Sequence, residues 1–305
     1  MMNVLSARNR RLIGEFARLN SMLALDFDGT LAPIMRRPES ARMRRQTRAL
    51  LQKAAALYPC AIISGRSIRD LKTRIGLNGV TSMVGNHGAE WEWSRPDSRG
   101  IARAKRWAQT LARELRDWPG VEIENKGLSL AVHYRGAADR ARAARAINRA
   151  ASGLEGTHAF AGKCVVNIVP RNAPDKGTAL ESMRRMLRCD AAIYIGDDTT
   201  DESAFRWKER GRLLTVRIGK SRRSFADFYV RDQRSIDALL RALISEREKA
   251  APCRTCGLIY CCAKARIKLR TGPRLVATRG AKMRARMPPR RRTPALWSAI
   301  SSCRS

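Results

Sequence analysis

Acidic residues are scarce in this 305-residue chain, where 27 Asp and Glu stand against 61 Lys and Arg and leave a formal net charge of +34. No run approaches the roughly 18 consecutive apolar residues that a membrane-spanning helix needs. Residues 1–20 contain four arginines and no apolar stretch, which argues against a secretory leader there. We therefore expect a cytoplasmic protein with no membrane segment.

Cysteine pairs with regular spacing are also lacking, although the chain has eight cysteines. Cys60, Cys164 and Cys189 each occur singly, in or beside predicted strands, which indicates reduced structural thiols. Four more cysteines lie within residues 253–262 and raise the possibility of zinc. The second pair there is adjacent rather than spaced by two, and no His lies near, so zinc is the less favoured interpretation.

Residues 251–305 contain not one Asp or Glu, whereas Lys and Arg recur throughout. No helical or strand period persists in this tail, and Arg290–Arg292 form a short charge run. We predict disorder, or sequence appended by a shifted reading frame. A basic arm that contacts nucleic acid or an anionic membrane is the alternative.

The positive charge elsewhere is mostly Arg, scattered through Ala-rich segments rather than grouped with aromatic residues, which make up 6% of the chain. A basic patch interleaved with aromatics would indicate nucleic-acid binding, and this pattern does not. A positive field would instead speed the arrival of a small anionic substrate.

Two carboxylates follow the first apolar run of the chain. Residues 21–25 predict a short buried strand, and the chain continues through Asp26 and Asp28 to a turn at Gly29 and Thr30. Residues i and i+2 of a strand point to the same side, so both carboxylates face one point. Two anions this close repel each other unless a metal ion, a shared proton, or both lie between them.

A second predicted strand, residues 60–63, ends in Ser64, Gly65 and Arg66, and a helix is expected over 67–73. A hydroxyl followed by a helix N-terminus suits an anion, because the first backbone amides and the helix dipole both favour negative charge. Ser as an ordinary helix N-cap is the alternative.

Lys176 stands at the start of a predicted helix over 178–188. The helix dipole disfavours a cation at this end, and a bound phosphate would explain the Lys. A solvated surface Lys is the other interpretation.

Residues 191–195 predict another buried strand. The Gly-Asp-Asp-Thr-Thr-Asp-Glu segment after it places four carboxylates within six residues, at Asp197, Asp198, Asp201 and Glu202. Such a cluster is costly unless it holds a cation, and carboxylate oxygens suit Mg²⁺.

These four segments, in this order, resemble motifs I to IV of the haloacid dehalogenase (HAD) superfamily of phosphohydrolases, with motif II at residues 64–66. The resemblance implies a Rossmann-like, doubly wound parallel α/β sheet, a catalytic nucleophile at Asp26 that forms an aspartyl-phosphate, and a general acid and base at Asp28. It implies phosphate-binding roles for Gly29, Thr30, Ser64, Gly65 and Lys176, and Mg²⁺-binding roles for Asp26, Asp28, Asp197, Asp198 and Asp201.

Residues 84–90, 124–135 and 162–171 resemble segments of trehalose-6-phosphate phosphatases. That family usually has Glu where this chain has Asn167, so sugar specificity is open at this position. The resemblance implies substrate contacts, in the cap or at its boundary with the core, for Arg66, His87, Glu90, Lys126, His133 and Asn167. His87 and His133 could instead be packed residues with satisfied hydrogen bonds.

The predicted organisation is a first part of the core over 1–100, a small α+β cap of the C2B type over 101–171, a second part of the core over 172–250, and the tail over 251–305. Within the cap we predict helices near 101–116 and 137–151, and strands over 121–124, 128–134 and 164–169. Strands and helices inserted between two halves of a parallel-sheet pattern are typical of a cap on a doubly wound core.

The expected function is Mg²⁺-dependent hydrolysis of trehalose 6-phosphate to trehalose and phosphate, the last step of trehalose synthesis. The expected partner is this small sugar phosphate, with nucleic acid contacted only through the tail. Two alternatives stay open: a HAD phosphatase for another sugar phosphate, such as sucrose 6-phosphate or a glycosylglycerate phosphate, and a basic nucleic-acid-binding protein on a relict HAD fold.

Overall fold

The structure, a computed structural model, describes residues 1–35, 37–76, 79–94, 97–207 and 212–250. Its strands are β1 (Met2–Asn3), β2 (Ser21–Leu25), β3 (Cys60–Ile63), β4 (Val80–Gly85), β5 (Glu90–Trp91), β6 (Glu122–Asn125), β7 (Leu130–His133), β8 (Thr157–Gly162), β9 (Val165–Pro170), β10 (Ala191–Gly196), β11 (Leu213–Ile218) and β12 (Phe228–Val230). Its α-helices are α1 (Arg10–Arg18), α2 (Arg45–Leu57), α3 (Ile68–Ile75), α4 (Ser98–Glu114), α5 (Arg140–Ser152), α6 (Lys176–Met186), α7 (Glu202–Phe205) and α8 (Ile236–Glu248).

The larger sheet has eight strands in the order β1-β12-β11-β10-β2-β3-β4-β5, all parallel except β5. Its central strands β2, β3 and β10 are buried along their whole length. Successive side chains of a strand point to opposite faces. Leu23 and Leu25 accordingly pack in one hydrophobic cluster, whereas Met22 and Ala24 pack in the other. The predicted α/β fold with a parallel sheet is confirmed.

The register of this sheet brings the predicted motifs to one edge. Leu25 pairs with Ile195 on one side and with Ile62 on the other. Because the strands are parallel, the residues that follow Leu25, Ile63 and Ile195 emerge together at the carboxyl edge. Ligands of open α/β sheets bind at this edge.

A second sheet, antiparallel and ordered β6-β7-β9-β8, lies between the two halves of the larger one in sequence. Helices α4 and α5 cover one of its faces, where Trp107, Leu111 and Ile147 pack against Leu130 and Val166. The segment 98–170 therefore has its own hydrophobic core. Its assignment as a cap domain stays a prediction.

Element boundaries differ from the sequence predictions where capping decides them. Helix α6 begins at Lys176, two residues early, because the Asp175 carboxylate accepts hydrogen bonds from the Thr178 amide and hydroxyl, both at 2.8 Å. Helix α4 begins at Ser98 for the same reason, with Asp97 as its cap. Strand β8 was not predicted, since none of its six residues is fully buried and no apolar alternation marks it.

The predicted disorder of the tail, and the zinc interpretation of residues 253–262, lie outside the described residues. None of the helices in the described ranges is both long and apolar enough to cross a membrane.

Candidate active site

Lys176, the first residue of α6, lies between two carboxylates. Its Nζ is 2.8 Å from Asp26 Oδ1 and 2.8 Å from Asp201 Oδ1, and all three side chains are buried. Burial by itself would lower the pKa of Lys176, but the charges of Asp201 and Asp26 outweigh this and raise it. The Lys that looked out of place at a helix start is therefore a buried cation held by two anions.

Asp201 has protein donors on both carboxylate oxygens. Oδ1 accepts from Lys176 and from the Tyr194 hydroxyl at 2.6 Å, and Oδ2 accepts from the amides of Asp197 and Asp198 at 2.8 and 2.9 Å. Lys176 and these hydrogen bonds hold the pKa of Asp201 below its usual value even though burial acts in the opposite direction. Asp201 thus organises the loop after β10.

Asp26 and Asp197 accept fewer hydrogen bonds than Asp201 does. Burial raises the pKa of Asp26 well above its usual range, although Lys176 opposes this. Burial, reinforced by the neighbouring Asp201, raises the pKa of Asp197 to about 6. Both side chains line the same cavity and carry carboxylates whose charged form is unfavourable without compensation.

The residues present fit a divalent cation. One carboxylate oxygen from each of Asp26, Asp197 and Asp201 lies within 4.8 Å of the others. Asp197 Oδ1 is buried and has no hydrogen-bond partner among the described residues, while Oδ2 lies 2.6 Å from Lys163 Nζ. A buried carboxylate oxygen without a donor is what a hard, oxygen-seeking cation would satisfy.

Gly29 allows this close approach. It has φ +81, and a Cβ atom there would lie 2.2 Å from Asp197 Oδ2. Any other residue would therefore both strain the backbone and displace the carboxylate. The Gly29 amide donates to the Ala32 carbonyl at 2.7 Å, so the structure uses it to close the turn.

Asp28 is held by a bidentate pair with Arg66. The Arg66 Nε and Nη2 atoms lie 2.6 and 2.7 Å from the two Asp28 oxygens. Arg66 is itself fixed by Asp70 at 2.6 Å and by the Pro38 carbonyl at 2.8 Å. Bidentate Arg–carboxylate pairs fix orientation as well as charge, so Arg66 sets the direction of the Asp28 carboxylate.

Ser64 and Gly65 form the cavity wall at the end of β3. Ser64 is fully buried, and its Oγ accepts from the Arg66 amide at 3.3 Å. A Cβ atom on Gly65 would lie 2.3 Å from the His87 ring, so the absence of a side chain lets the two segments meet. Ser67 caps α3, which confirms the interpretation of a helix start directly after this turn.

His87 borders the cavity with an unusual backbone, φ +58. Neither ring nitrogen has a hydrogen-bond partner among the described residues, and Phe160 packs edge-on with centroids 5.1 Å apart. Burial, together with the positive charges of Lys126 and Lys176, lowers the pKa of His87 well below its usual value. A neutral imidazole offers one donor and one acceptor to a ligand.

The polar face of the second sheet closes the other side of the cavity. His133 Nε2 lies 2.9 Å from Glu124 Oε2, and the Lys126 ammonium donates to the Gly65 carbonyl at 3.1 Å. Asn167 is 6% exposed and lines the cavity. Carboxylate, amide and ammonium groups on one wall can bind the hydroxyls of a sugar.

The cavity has a volume of about 840 Å³, large enough for a disaccharide phosphate. Of the predicted site residues, it brings together Asp26, Asp28, Ser64, Gly65, Arg66, His87, Lys126, His133, Asn167, Lys176, Asp197 and Asp198.

Four predicted site residues are not among those that line the cavity. Gly29 packs closely against Asp197, and Asp201 accepts from Lys176, so both contact residues that line it. Thr30 is fully buried, and its hydroxyl has no partner among the described residues. Glu90 accepts a hydrogen bond from the Ile68 amide at 2.9 Å, at the start of α3. The same oxygen accepts from the Asn86 side chain at 2.6 Å, and the role of Glu90 as a substrate contact stays a prediction.

Sequence reasoning did not single out several residues of this region. Tyr194 and Asp70 carry no motif signal, because each is recognised only by its partner in space. Glu124 is two residues before Lys126, and the β6–β7 pairing of Glu124 with Ala131 was needed to place it on the cavity face. Lys163 lies in the tight turn before β9, and only the fold brings it to Asp197.

Comparison with known proteins places the chain among trehalose-phosphatases. A family model described as trehalose-phosphatase matches residues 24–234. A trehalose-phosphate phosphatase of Mycobacterium marinum is 38% identical over 195 residues, 59% of this chain and 49% of that protein. A Mycobacterium tuberculosis protein named as an uncharacterized glycosyl hydrolase is 34% identical over 253 residues, 74% of this chain and 18% of that protein. The chain thus spans about half or less of the length of these curated relatives.

Solved structures show the same architecture. A trehalose-6-phosphate phosphatase related protein superposes with a TM-score of 0.63 at 25% identity, covering 74% of this chain and 97% of that one. The C-terminal domain of the Candida albicans trehalose-6-phosphate phosphatase superposes with a TM-score of 0.65 at 23% identity, covering 78% and 97%. The second likeness concerns the fold alone.

Proposed function

Because this chain belongs to the trehalose-phosphatase family, we propose that it hydrolyses trehalose 6-phosphate to trehalose and phosphate through an aspartyl-phosphate on Asp26. One observation carries the proposal. The buried Asp26 carboxylate is held by Lys176 in the same cavity as Asp28 and Ser64, and polar residues of the second sheet line that cavity too.

In the first step, a carboxylate oxygen of Asp26 attacks phosphorus, and the bond from phosphorus to the sugar oxygen breaks. Asp28 gives its proton to the leaving sugar oxygen, which departs as a hydroxyl. In the second step, Asp28 takes a proton from water as the water oxygen attacks phosphorus. The bond to Asp26 breaks, phosphate leaves, and both carboxyl groups return to their starting states.

Asp28 has to leave its pair with Arg66 to act. Both of its oxygens are held by the guanidinium, at 2.6 and 2.7 Å. We propose that the carboxyl group turns toward the leaving oxygen when substrate enters, while Arg66 stays fixed by Asp70 and Pro38. One of the two hydrogen bonds between Arg66 and Asp28 would then break.

Charge around the phosphoryl group would come from Lys176, with the Ser64 hydroxyl as a donor, and both side chains are buried. Such pre-placed groups need no reorganisation during the reaction. Mg²⁺ would supply further neutralisation of the phosphoryl oxygens when bound. Its proposed ligands are the carboxylates of Asp26 and Asp197 and the backbone carbonyl of Asp28, with Asp198 and Asp201 behind them.

We propose that residues 101–171 act as the cap and that the polar face of the second sheet contacts the sugar. Lys126, His133 and Asn167 would bind sugar hydroxyls, with His87 and Arg66 at the boundary. Glu90 would support motif II, because its carboxylate accepts a hydrogen bond from the Ile68 amide.

A second substrate class has a specific observation in its favour. Asn167 is a neutral amide where the family usually has a carboxylate, and it is buried in the cavity wall. A different sugar phosphate, such as sucrose 6-phosphate or a glycosylglycerate phosphate, would keep the same chemistry at Asp26.

The deciding experiment is phosphate release from trehalose 6-phosphate, glucose 6-phosphate and sucrose 6-phosphate, each with and without Mg²⁺. A strong Mg²⁺-dependent preference for trehalose 6-phosphate supports the proposal. Preference for another ester keeps the mechanism and changes the substrate. A folded protein that hydrolyses none of them contradicts it.

The nucleophile has its own prediction. Asp26→Asn should lower kcat by a factor on the order of 10³ or more, because the amide cannot form the phospho-enzyme. Circular dichroism and melting temperature serve as the folding control. Substantial remaining phosphatase activity would remove Asp26 from this role.

A further inference from the structure

Asn86 directly follows strand β4 and has a backbone conformation that few residues adopt. Its φ is +49 and its side chain is fully buried. Asn tolerates this left-handed region better than most residues, and Gly tolerates it best. Its side chain is not among those that line the catalytic cavity, so it has no direct contact with substrate in the proposed function.

The Asn86 amide links the core to the second sheet. Its Nδ2 donates to Glu90 Oε2 at 2.6 Å and to the Lys126 carbonyl at 3.3 Å. Its Oδ1 accepts from the Ser129 hydroxyl at 2.5 Å. Lys126 and Ser129 lie in the turn between β6 and β7, where the Lys126 amide also donates to the Ser129 carbonyl at 2.9 Å. Both ends of the amide therefore hold this one turn.

The same network returns to motif II. The Glu90 carboxylate oxygen that accepts from Asn86 also accepts from the Ile68 amide at 2.9 Å. The Lys126 ammonium donates to the Gly65 carbonyl at 3.1 Å. Contacts thus run from motif II through Glu90 and Asn86 to the cap turn and back to Gly65. Since each member is buried or half-buried, the loss of one leaves polar groups unpaired.

We propose that Asn86 is a positioning residue that fixes Lys126 in the cavity wall, and so sets the distance between the sugar-binding wall and the phosphate-binding turn. This inference rests on the proposed function of the cavity. Asn86 holds the Lys126 backbone, and the Lys126 ammonium faces the site. A misplacement of about 1 Å in such a group costs on the order of a hundredfold in rate.

Asn86→Gly tests the proposal, because Gly keeps the φ of +49 while removing the amide. Steady-state kinetics would compare the preferred sugar phosphate with p-nitrophenyl phosphate, an ester that has no sugar to reach the cap wall. We expect kcat/KM for the sugar phosphate to fall about tenfold to a hundredfold, mainly through KM, with p-nitrophenyl phosphate changing by less than about threefold.

Two further variants sharpen the comparison. Ser129→Ala removes one contact of the Asn86 amide, and we expect a smaller loss in the same direction. Asn125→Ala is the matched control, since its side chain accepts from the Gly127 amide at 2.9 Å within the same turn. We expect it to leave the ratio between the two esters unchanged.

Hydrogen exchange of the full chain gives a readout that does not depend on activity. In Asn86→Gly, amides of residues 122–133 should exchange faster than in the wild type, whereas those of β8 and β9 should not. Equal losses on both esters, with faster exchange throughout the protein, would reduce Asn86 to a general structural role and overturn the proposal. Unchanged ester preference with unchanged exchange would also overturn it.

The proposed function can fail separately. If the wild type hydrolyses no sugar phosphate, that proposal is wrong, and exchange in residues 122–133 alone decides whether Asn86 holds the turn. Faster exchange confined to that turn supports the inference, and its absence contradicts it.

Discussion

Lys176 balances the charge of the site, because Asp26 and Asp201 both rest against its ammonium at 2.8 Å. The three groups are buried, so their charges are stable only together. Removing one partner of a buried pair leaves an uncompensated charge in the interior.

Lys176→Met should therefore lower the free energy of unfolding by about 3–5 kcal/mol and abolish turnover. Urea unfolding and phosphate release measure the two effects. Lys249→Met is the matched control: the Lys249–Glu246 pair is also 2.8 Å long, but Lys249 is 65% exposed. Exposed pairs contribute about 0–1 kcal/mol. Similar losses in both variants would contradict the argument.

Three of the cysteines offer a second test of how burial changes the chemistry of single side chains. Burial raises the pKa of Cys60 to about 12 and that of Cys189 to about 11, whereas Cys164 is half-buried. The thiolate is the reactive form, and a raised pKa lowers the fraction of thiolate at pH 8. Cys60 and Cys189 should therefore resist alkylation in the folded protein.

Iodoacetamide labelling followed by peptide mass spectrometry would measure the rate of alkylation of each cysteine separately. We expect Cys164 to be labelled first, and all three to react at similar rates once the chain is unfolded in urea. Native labelling of Cys60 as fast as Cys164 would show that β3 opens readily.

Among the elements, α6 matters most, because its first residue is Lys176 and its cap is Asp175. The Asp175 carboxylate accepts from the Thr178 amide and hydroxyl, both at 2.8 Å. The cap fixes where the helix starts and therefore where the ammonium lies.

Asp175→Ala should cost about 1 kcal/mol of stability and also lower kcat severalfold, since the loosened first turn carries Lys176. Asp97→Ala is the control, because Asp97 caps α4 through the Gly100 amide at 2.9 Å and no residue of α4 is among those that line the cavity. We expect a similar loss of stability with unchanged kcat. Thermal melts and initial rates would separate the two outcomes.

Strand register decides which polar residues of the second sheet face the cavity. Glu124 lies opposite Ala131, which lies opposite Asn167, which lies opposite Phe160. Directly opposite residues share a face, so these four form one row across the second sheet. A slip of one residue in any pair would turn its side chains toward α4 and α5.

The net charge of +34 is the most unusual property of the protein. A field of this sign attracts phosphate esters and nucleic acids alike. The second attraction would be strongest through residues 251–305, which contain no acidic residue.

Removal of residues 251–305 should leave kcat, KM and melting temperature close to those of the full chain, because every site residue lies before this segment. Salt-dependent retention on a DNA column should weaken in the truncated protein. Lost phosphatase activity or failure to fold would show that the tail belongs to the enzyme. Unchanged DNA retention would place the basic surface elsewhere.

The residue pattern alone is enough to predict that the motifs meet at one edge of the larger sheet. Apolar strands at 21–25, 60–63 and 191–195 each end in a motif, and parallel strands present their carboxyl ends together, so the proximity of Asp26 and Asp197 could be predicted. These signals are local: a buried strand, a glycine turn and a cluster of carboxylates each lie within a few residues.

The partners of those residues, in contrast, follow only from the fold. Lys176 meets Asp26 across 150 residues of sequence, Asp28 is paired with Arg66 across 38, and Asn86 reaches Ser129 across 43. Glu90, predicted as a substrate contact, accepts hydrogen bonds from the Ile68 amide and the Asn86 side chain, and no local pattern predicted these partners. A side chain's partner depends on how whole elements pack together, and that packing cannot be deduced from a short stretch of sequence.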